Sequence, residues 1–150
     1  MGSWFFLNMD IVILRMLYPN DPTRTLCPHQ HFVYEYTGTC INLYTVSSVL
    51  GKEKRVFDEN NNVKEEYELI KGQDAIANGF KTASFIDCTK RYSIELDEDV
   101  NFENLSSRAM TSDLKERLNQ RIQLMIEKGK HVIYSVSVED LKRWNQKLLS

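Results

Sequence analysis

Cysteine, net basic charge and long apolar runs are all scarce in this sequence. Its 150 residues include three cysteines. An odd number in a chain too long to need disulfide staples favours a reduced, cytoplasmic protein. No segment combines a basic start with a small-residue cleavage site, so no secretory signal is expected. The longest apolar stretches, 4–7 and 11–14, are far too short to cross a membrane.

The net charge of −2 also lacks the basic excess that is typical of nucleic-acid-binding proteins. Any such role must therefore depend on a local patch. Lys52, Lys54 and Arg55 form the most obvious basic cluster, and Lys90-Arg91 forms a second. The alternative for both is an ordinary solvated surface.

The composition is otherwise that of one folded domain. Apolar residues make up 42% of the chain and charged residues 27%, which excludes a disordered tail. There are no repeats, no low-complexity tracts and no linker-like shifts in composition. We predict a single domain over residues 1–150. Residues 1–9 are a candidate tag or extension, since Met1-Gly2-Ser3 is typical of an expression remnant and Met9 can serve as a start.

Short runs of β-forming residues, separated by loop residues, predict strands over most of the chain. The predicted strands span 10–17, 31–36, 40–46, 67–70, 84–87, 91–96 and 131–136. The second and third form a hairpin, because Thr37-Gly38 makes a tight connection. Pro19 and Pro22 mark a loop after the first strand, and 72–79 is predicted as a short turn or helix.

One long helix is predicted at 112–128. Its apolar stripe, at spacings of four, four and three, comprises Leu114, Leu118, Ile122 and Met125. Thr111 or Ser112 can cap its start, and Gly129 suits the position after its end. A short amphipathic helix is predicted at 138–148. The fold class is therefore α+β, mainly β: a small β-barrel with a C-terminal helix and an extra strand–helix extension.

This order of elements resembles the MazF/PemK family of ribosome-independent mRNA-cleaving toxins. Asp10-Ile11-Val12 is similar to the opening strand of that family, and a proline-containing loop follows it. Thr45-Val46-Ser47-Ser48 occupies the place of the family's Pro-x-Thr-Ser strand ending. Ala83-Ser84-Phe85-Ile86-Asp87 and Tyr92-Ser93-Ile94-Glu95 look like two later strands of the family. The resemblance extends from Asp10 to Ile126.

The resemblance implies an SH3-like barrel that cleaves single-stranded RNA without a metal or another cofactor. It also implies a homodimer and a small antitoxin protein that covers the RNA groove. The tail at 131–150 has no counterpart in the family core. An arginine that the family places before the second strand is missing, since Cys27-Pro28-His29-Gln30-His31 stands there. Either His29 or Cys27 takes its place, and residues 87–89 also lack the arginine that some members use.

Metal-free RNA cleavage requires a base, an acid and hydrogen-bond donors around the phosphate. Histidine suits the first two tasks, and hydroxyl, lysine and arginine groups suit the third. The start of one hairpin strand and the end of the next lie at the same end of the hairpin. We therefore predict catalytic roles for His29, His31 and Ser47. The predicted RNA-binding residues are Ser48, Lys52, Lys54 and Arg55.

Each of these residues has a structural alternative. His31 alternates with Phe32 along a strand and can be a half-buried strand residue. Ser47 and Ser48 can simply cap backbone groups at a strand end. His131, at the start of a late strand, is interpreted as structural.

Three further alternatives concern the kind of site. One alternative is a zinc site with the ligands Cys27, His29 and His31 and with Cys40 as the fourth, although this spacing is atypical of closed zinc sites. The aromatic rings of the strand residues Tyr34, Tyr36 and Tyr44 either stack on RNA bases or pack in the core. The alternative function is a non-catalytic SH3-like barrel that binds RNA or a protein partner, and the missing arginine motivates it.

Overall fold

The computed structural model of the chain describes residues 10–21, 23 and 26–149. The candidate tag or extension at 1–9 and Pro22 of the predicted loop lie outside these residues. The strands in the described part are β1 (Ile11–Leu14), β2 (His29–Tyr36), β3 (Cys40–Ser48), β4 (Tyr67–Ile70), β5 (Ser84–Asp87), β6 (Lys90–Glu95), β7 (Ser107–Arg108) and β8 (Val132–Ser135). The helices are α1 (Glu53–Val56), α2 (Gly72–Ala77), α3 (Ser112–Glu127) and α4 (Val138–Trp144), with 3-10 turns at Phe102–Asn104 and Gln146–Leu149.

The predicted fold class, α+β and mainly β, is confirmed. Every strand and helix predicted from the sequence is present, with ends shifted by a few residues. The short elements α1 and β7 were not predicted, because four and two residues are too few to produce a periodic pattern.

Strand β3 is the centre of the sheet. It pairs with β2 along one side, while on its other side Cys40–Leu43 pair with β6 and Val46–Ser48 pair with β5. All strand pairs are antiparallel except β6 with β8. A strand that changes partners halfway along its length is how packed β-sheets turn a corner. The sheet therefore joins its two parts through β3.

Alternating residues of β1, β2 and β3 contribute to two separate cores, and a third, smaller core consists of Val49, Val56, Tyr67 and Phe85. Val12, Val33 and Leu43 belong to one core, which we call the tail-side core. Their neighbours Ile11, Phe32 and Tyr44 belong to the other, the helix-side core. Strands β1, β2 and β3 are thus covered on both faces over much of their length.

Helix α3 covers the helix-side core with the predicted stripe. Leu114, Leu118, Ile122 and Met125 are all fully buried. The side chain of Thr111 accepts a hydrogen bond from the backbone N–H of Leu114, as expected of a helix N-cap. The predicted stripe is confirmed, and of the two candidate caps, Thr111 and Ser112, the helix uses Thr111.

The C-terminal extension covers the tail-side core. Val136, Leu141 and Leu148 are buried in it beside the strand residues. The side chain of Asn145 also binds the backbone of Arg15: its Oδ1 accepts from the Arg15 N–H at 2.9 Å and its Nδ2 donates to the Arg15 carbonyl at 2.7 Å. At Arg15 the Asn145 side chain thus binds the backbone groups that a neighbouring strand would otherwise bind. Strand β1 ends at Leu14 rather than at the predicted residue 17.

Candidate functional site

The start of β2 and the end of β3 form one side of a cavity of about 340 Å³. Its lining comprises Ile13, Pro28, His29, Gln30, Val46, Ser47, Ser48 and Lys52, and we call it the hairpin pocket. The antiparallel register, with His31 opposite Thr45, brings the start of β2 to the end of β3. Four of the seven predicted site residues therefore line the same cavity: His29, Ser47, Ser48 and Lys52.

His29 is the imidazole of this pocket. Its ring is half-buried, and its Nε2 lies 3.3 Å from the Cys27 thiol. The ring of Tyr18 lies against it edge-on, with the centroids 6.4 Å apart. These contacts hold the imidazole at the pocket wall while part of it remains accessible to solvent.

The hydroxyls and the lysine come from the turn that ends β3. Ser48 is exposed, and its Oγ accepts a hydrogen bond from the Leu50 N–H and contacts the Thr82 hydroxyl, both at 3.3 Å. The Lys52 N–H donates to the Val49 carbonyl at 2.8 Å, and its carbonyl accepts from the first turn of α1. Gly51, with φ +81°, supplies the left-handed residue that this turn needs. The turn thus presents Lys52 beside Ser47 and Ser48.

Gln30 adds an amide to the pocket, and an arginine controls its orientation. The Arg108 Nη2 donates to Gln30 Oε1 at 2.7 Å, and its Nε donates to the Asn78 carbonyl at 2.9 Å. The guanidinium also lies over the Phe80 ring, 4.6 Å from its centroid. Sequence reasoning missed Arg108 because its strand, β7, has only two residues and reaches the site by pairing with β1.

His31 lies outside the pocket and is completely buried, with 0% of its surface exposed. Its Nε2 is 2.6 Å from the Tyr18 hydroxyl, and its Nδ1 is 3.0 Å from the His29 carbonyl. The half-buried strand residue considered from the sequence is in fact a fully buried one. A phosphate cannot reach this ring in the described conformation.

Lys54 and Arg55 also lie away from the hairpin pocket. Lys54 lines a different cavity, together with the acidic residues Glu53, Asp58 and Glu59. The guanidinium of Arg55 lies over the rings of Tyr67 and Phe85, with centroids 5.8 and 5.5 Å away, and 3.9 Å from buried Asp87. The predicted basic cluster therefore divides, and only Lys52 faces the pocket.

Among the described residues, no group of three His, Cys, Asp or Glu side chains is close enough together to hold a metal ion. Cys40, the fourth ligand of the zinc alternative, contacts the hydroxyl of Ser93 at 3.7 Å instead. His31 is directed into the core. The donor set of the zinc alternative is therefore not assembled.

A second polar cluster lies at the junction of β3, β6 and β8. The Arg91 Nε donates to the Tyr44 hydroxyl at 2.7 Å, and this hydroxyl lies 2.8 Å from Nε2 of His131. The guanidinium of Arg91 also lies 4.6 Å from the centroid of the Tyr34 ring. Burial raises the pKa of Tyr44 and, together with the charge of Arg91, lowers the pKa of His131. Both shifts favour the uncharged forms of Tyr44 and His131, which agrees with the structural interpretation of His131.

The strand tyrosines Tyr34, Tyr36 and Tyr44 pack within the fold. Tyr36 and Tyr44 are buried core residues. Tyr34 is half-buried, and its hydroxyl is held by Asn119 and Gln123 of α3 at 3.0 and 3.3 Å. None of the three lines the hairpin pocket.

No protein-family model matches this chain, and no curated protein has a sequence that matches it. No helix within residues 10–21, 23 and 26–149 is both long and apolar enough to span a membrane.

Proposed function

We propose that this chain is a MazF/PemK-like endoribonuclease that cleaves single-stranded RNA without a metal. The observation that carries the proposal is the hairpin pocket, in which His29, Ser47, Ser48 and Lys52 line one cavity. The resemblance of residues 10–126 to that family supports it, as does the arrangement of strands around β3 with a long helix packed on the sheet.

The proposed reaction is an attack of the RNA 2′-oxygen on the adjacent phosphorus. A bond forms between the 2′-oxygen and phosphorus, and the bond from phosphorus to the 5′-oxygen breaks. His29, when neutral, takes the proton of the 2′-hydroxyl, and the Lys52 ammonium gives a proton to the departing 5′-oxygen. Exchange with water then restores both groups. The products are a 2′,3′-cyclic phosphate and a 5′-hydroxyl.

The remaining polar groups of the pocket are suited to hold the phosphate. The hydroxyls of Ser47 and Ser48 and the amide of Gln30 can donate hydrogen bonds to its non-bridging oxygens. No Asp or Glu lines the pocket, so an anion meets no repelling carboxylate there. Arg108 acts as a positioning residue, because it contacts Gln30 from outside the cavity.

The partners of the proposed enzyme follow from the same resemblance. We propose a homodimer in the cytoplasm that is inhibited by a small antitoxin protein. In the described part of the chain, β8 pairs with β6 alone, and its residues Val132 and Ile133 are exposed. An edge strand with exposed apolar residues favours pairing with a second chain.

The test is incubation of the purified protein with single-stranded RNA in excess EDTA. We expect cleavage that leaves 2′,3′-cyclic phosphate and 5′-hydroxyl ends. DNA of the same sequence should stay intact, because it has no 2′-oxygen nucleophile. If RNA also stays intact, the enzymatic proposal fails.

The alternative function, a barrel that binds RNA or a protein without catalysis, is favoured by one observation. Of the three histidines, only His29 lines the hairpin pocket, so no second imidazole is available as the acid. Filter binding of RNA in the same EDTA buffer separates the two proposals. Retention of uncut RNA favours the binding module, and growth arrest on expression favours the toxin.

A further inference from the structure

The hairpin pocket lies next to a second cavity of about 490 Å³, and Ile13 and Pro28 line both. The far side of this second cavity is formed by Leu105 and by the end of the C-terminal extension, including Trp144 and Lys147. We call it the tryptophan pocket. Ile13 and Trp144 are both unusually exposed for large apolar side chains, at 56% and 42%. The two cavities are thus neighbours that share Ile13 and Pro28, and Trp144 lines the second one.

The position of Trp144 is fixed by the residues on either side of it. Asn145 holds the backbone of Arg15 through two hydrogen bonds, and its Nδ2 also donates to the Leu141 carbonyl at 2.8 Å. Leu141 and Leu148 are buried in the tail-side core. The backbone around the indole is therefore preorganised, and little ordering is needed for a ligand to bind against it.

Apart from His29, the acidic and basic residues found in the linings of the two cavities are all lysine or arginine. Arg15 and Lys147 line the tryptophan pocket, Lys52 lines the hairpin pocket, and no carboxylate lines either of them. The other three cavities described in the structure each include at least one carboxylate, among them Glu139, Asp58 and Asp140. In a chain with a net charge of −2, this local excess of cations is complementary to an anionic ligand.

We propose that the tryptophan pocket is a nucleobase subsite, in which Trp144 stacks on a base of the single-stranded RNA whose phosphate lies in the hairpin pocket. Single-stranded nucleic acids are bound by this combination of aromatic faces for the bases and cations along the backbone. Part of the subsite comes from the C-terminal extension, which has no counterpart in the MazF/PemK core. This proposal rests on the proposed function, since it takes the hairpin pocket as the site of the phosphate.

The test uses a Trp4→Phe background, in which Trp144 is the only tryptophan, because the chain has two. Two probes are titrated into it: a random-sequence single-stranded DNA oligonucleotide, which is not cut, and an abasic oligonucleotide of the same length. We expect the DNA to quench the indole emission and the abasic strand to quench it much less. Trp144→Ala should raise the Kd for the DNA roughly 5- to 150-fold, the usual effect of losing one stacked base.

The abasic strand and two further variants make the result specific. The Kd for the abasic strand should change little in Trp144→Ala, and Trp144→Phe should recover much of the lost affinity for DNA. Ile76→Ala removes an exposed apolar side chain on α2, outside both pockets, and should leave each Kd unchanged. An equal loss of affinity for both probes, or no quenching by DNA, overturns the subsite. No binding of either probe also overturns it and favours a protein occupant.

Failure of the subsite and failure of the enzymatic proposal have different signatures. If only the subsite is wrong, the wild type cuts RNA and Trp144→Ala cuts it with the same KM. If only catalysis is wrong, DNA still quenches Trp144 while RNA stays intact in EDTA.

Discussion

The hydroxyl of Tyr18 lies 2.6 Å from Nε2 of His31, and both side chains are buried in the tail-side region of the sheet. Tyr18 follows β1 and His31 lies in β2, and their rings are stacked with centroids 6.0 Å apart. This contact ties the segment after β1 to the central hairpin. It also accounts for a histidine at a core position, because a buried imidazole needs a hydrogen-bond partner.

Removal of this hydrogen bond should lower stability. Tyr18→Phe keeps the ring and deletes the hydroxyl, and we expect the free energy of unfolding to fall by about 1–3 kcal/mol, the usual cost of breaking a buried side-chain hydrogen bond. Urea denaturation measures the change. Tyr134→Phe is the matched control, since the ring stacks on Tyr92 while its hydroxyl makes no hydrogen bond among the described residues. Equal midpoints for wild type and Tyr18→Phe would contradict the prediction.

A second stability prediction concerns the stripe of α3. Leu118 is fully buried, so Leu118→Ala should reduce the free energy of unfolding by about 2–5 kcal/mol through lost packing and a residual cavity. Leu124 lies on the same helix and is 40% exposed, and Leu124→Ala should have a much smaller effect. Urea unfolding of the two variants compares a buried with an exposed leucine in one helix. A change below about 0.5 kcal/mol for Leu118→Ala would exclude it from the core.

The fold was largely predictable from the sequence because its signals are local. The stripe of α3 has a period that only a helix produces, and Gly38 and the paired β-forming runs identify the central hairpin. The early end of β1 was not predictable. It depends on Asn145, a side chain 130 positions away in the sequence that replaces a strand partner.

The site was predictable only in part. A hairpin brings the start of one strand to the end of the next, so the shared pocket of His29 and Ser47 followed from the topology. Strand alternation placed His31 on one face of β2 but did not indicate that Tyr18 and the tail would bury that face. Arg108 and Trp144 reach the pockets only through tertiary contacts, so no local sequence signal indicates their position.

The cluster around His131 predicts a dependence of stability on pH. The Arg91 Nε donates to the Tyr44 hydroxyl, whose oxygen lies 2.8 Å from Nε2 of His131, so a protonated imidazole would stand close to the Arg91 guanidinium. Burial and the charge of Arg91 hold the pKa of His131 below its ordinary value near 6.5, although Asp87 acts in the opposite direction. The unfolded chain therefore binds the proton first. This contribution to stability is complete above about pH 6.5 and is lost as the pH falls towards the folded-state pKa.

The measurement is the urea midpoint at several values between about pH 7.5 and 5.5. The midpoint of the wild type should fall with pH, and the decrease should be smaller in His131→Gln, which cannot be protonated. The same decrease in both proteins would show that other groups are responsible.

The homodimer proposal predicts the mass in solution. Light scattering at high micromolar concentration should give about twice the chain mass of 17.6 kDa. If β8 is the contact, Ile133→Lys should shift the protein towards monomer, because Ile133 lies on that edge and is 59% exposed. Leu50→Lys is the control, since Leu50 is also exposed but lies in the turn after β3. A mass of one chain for the wild type would contradict a dimer.

Variants of the two β2 histidines, His29 and His31, should separate catalysis from stability. His29 lines the hairpin pocket, so His29→Ala should lower the rate of RNA cleavage about 10²–10⁴-fold, the usual contribution of a positioned general base. The ring of His29 is half-buried and contributes little to the core, so the urea midpoint of His29→Ala should move only slightly.

His31 is buried against Tyr18, so His31→Ala should mainly reduce the free energy of unfolding, by about 1–3 kcal/mol. Its folded fraction should cleave RNA at a rate closer to that of the wild type. Cleavage in EDTA and urea unfolding, measured on both variants, test the assignment. Normal cleavage by His29→Ala would show that His29 is not the general base. A large loss of rate in a His31→Ala variant of normal stability would show that His31 takes part in catalysis.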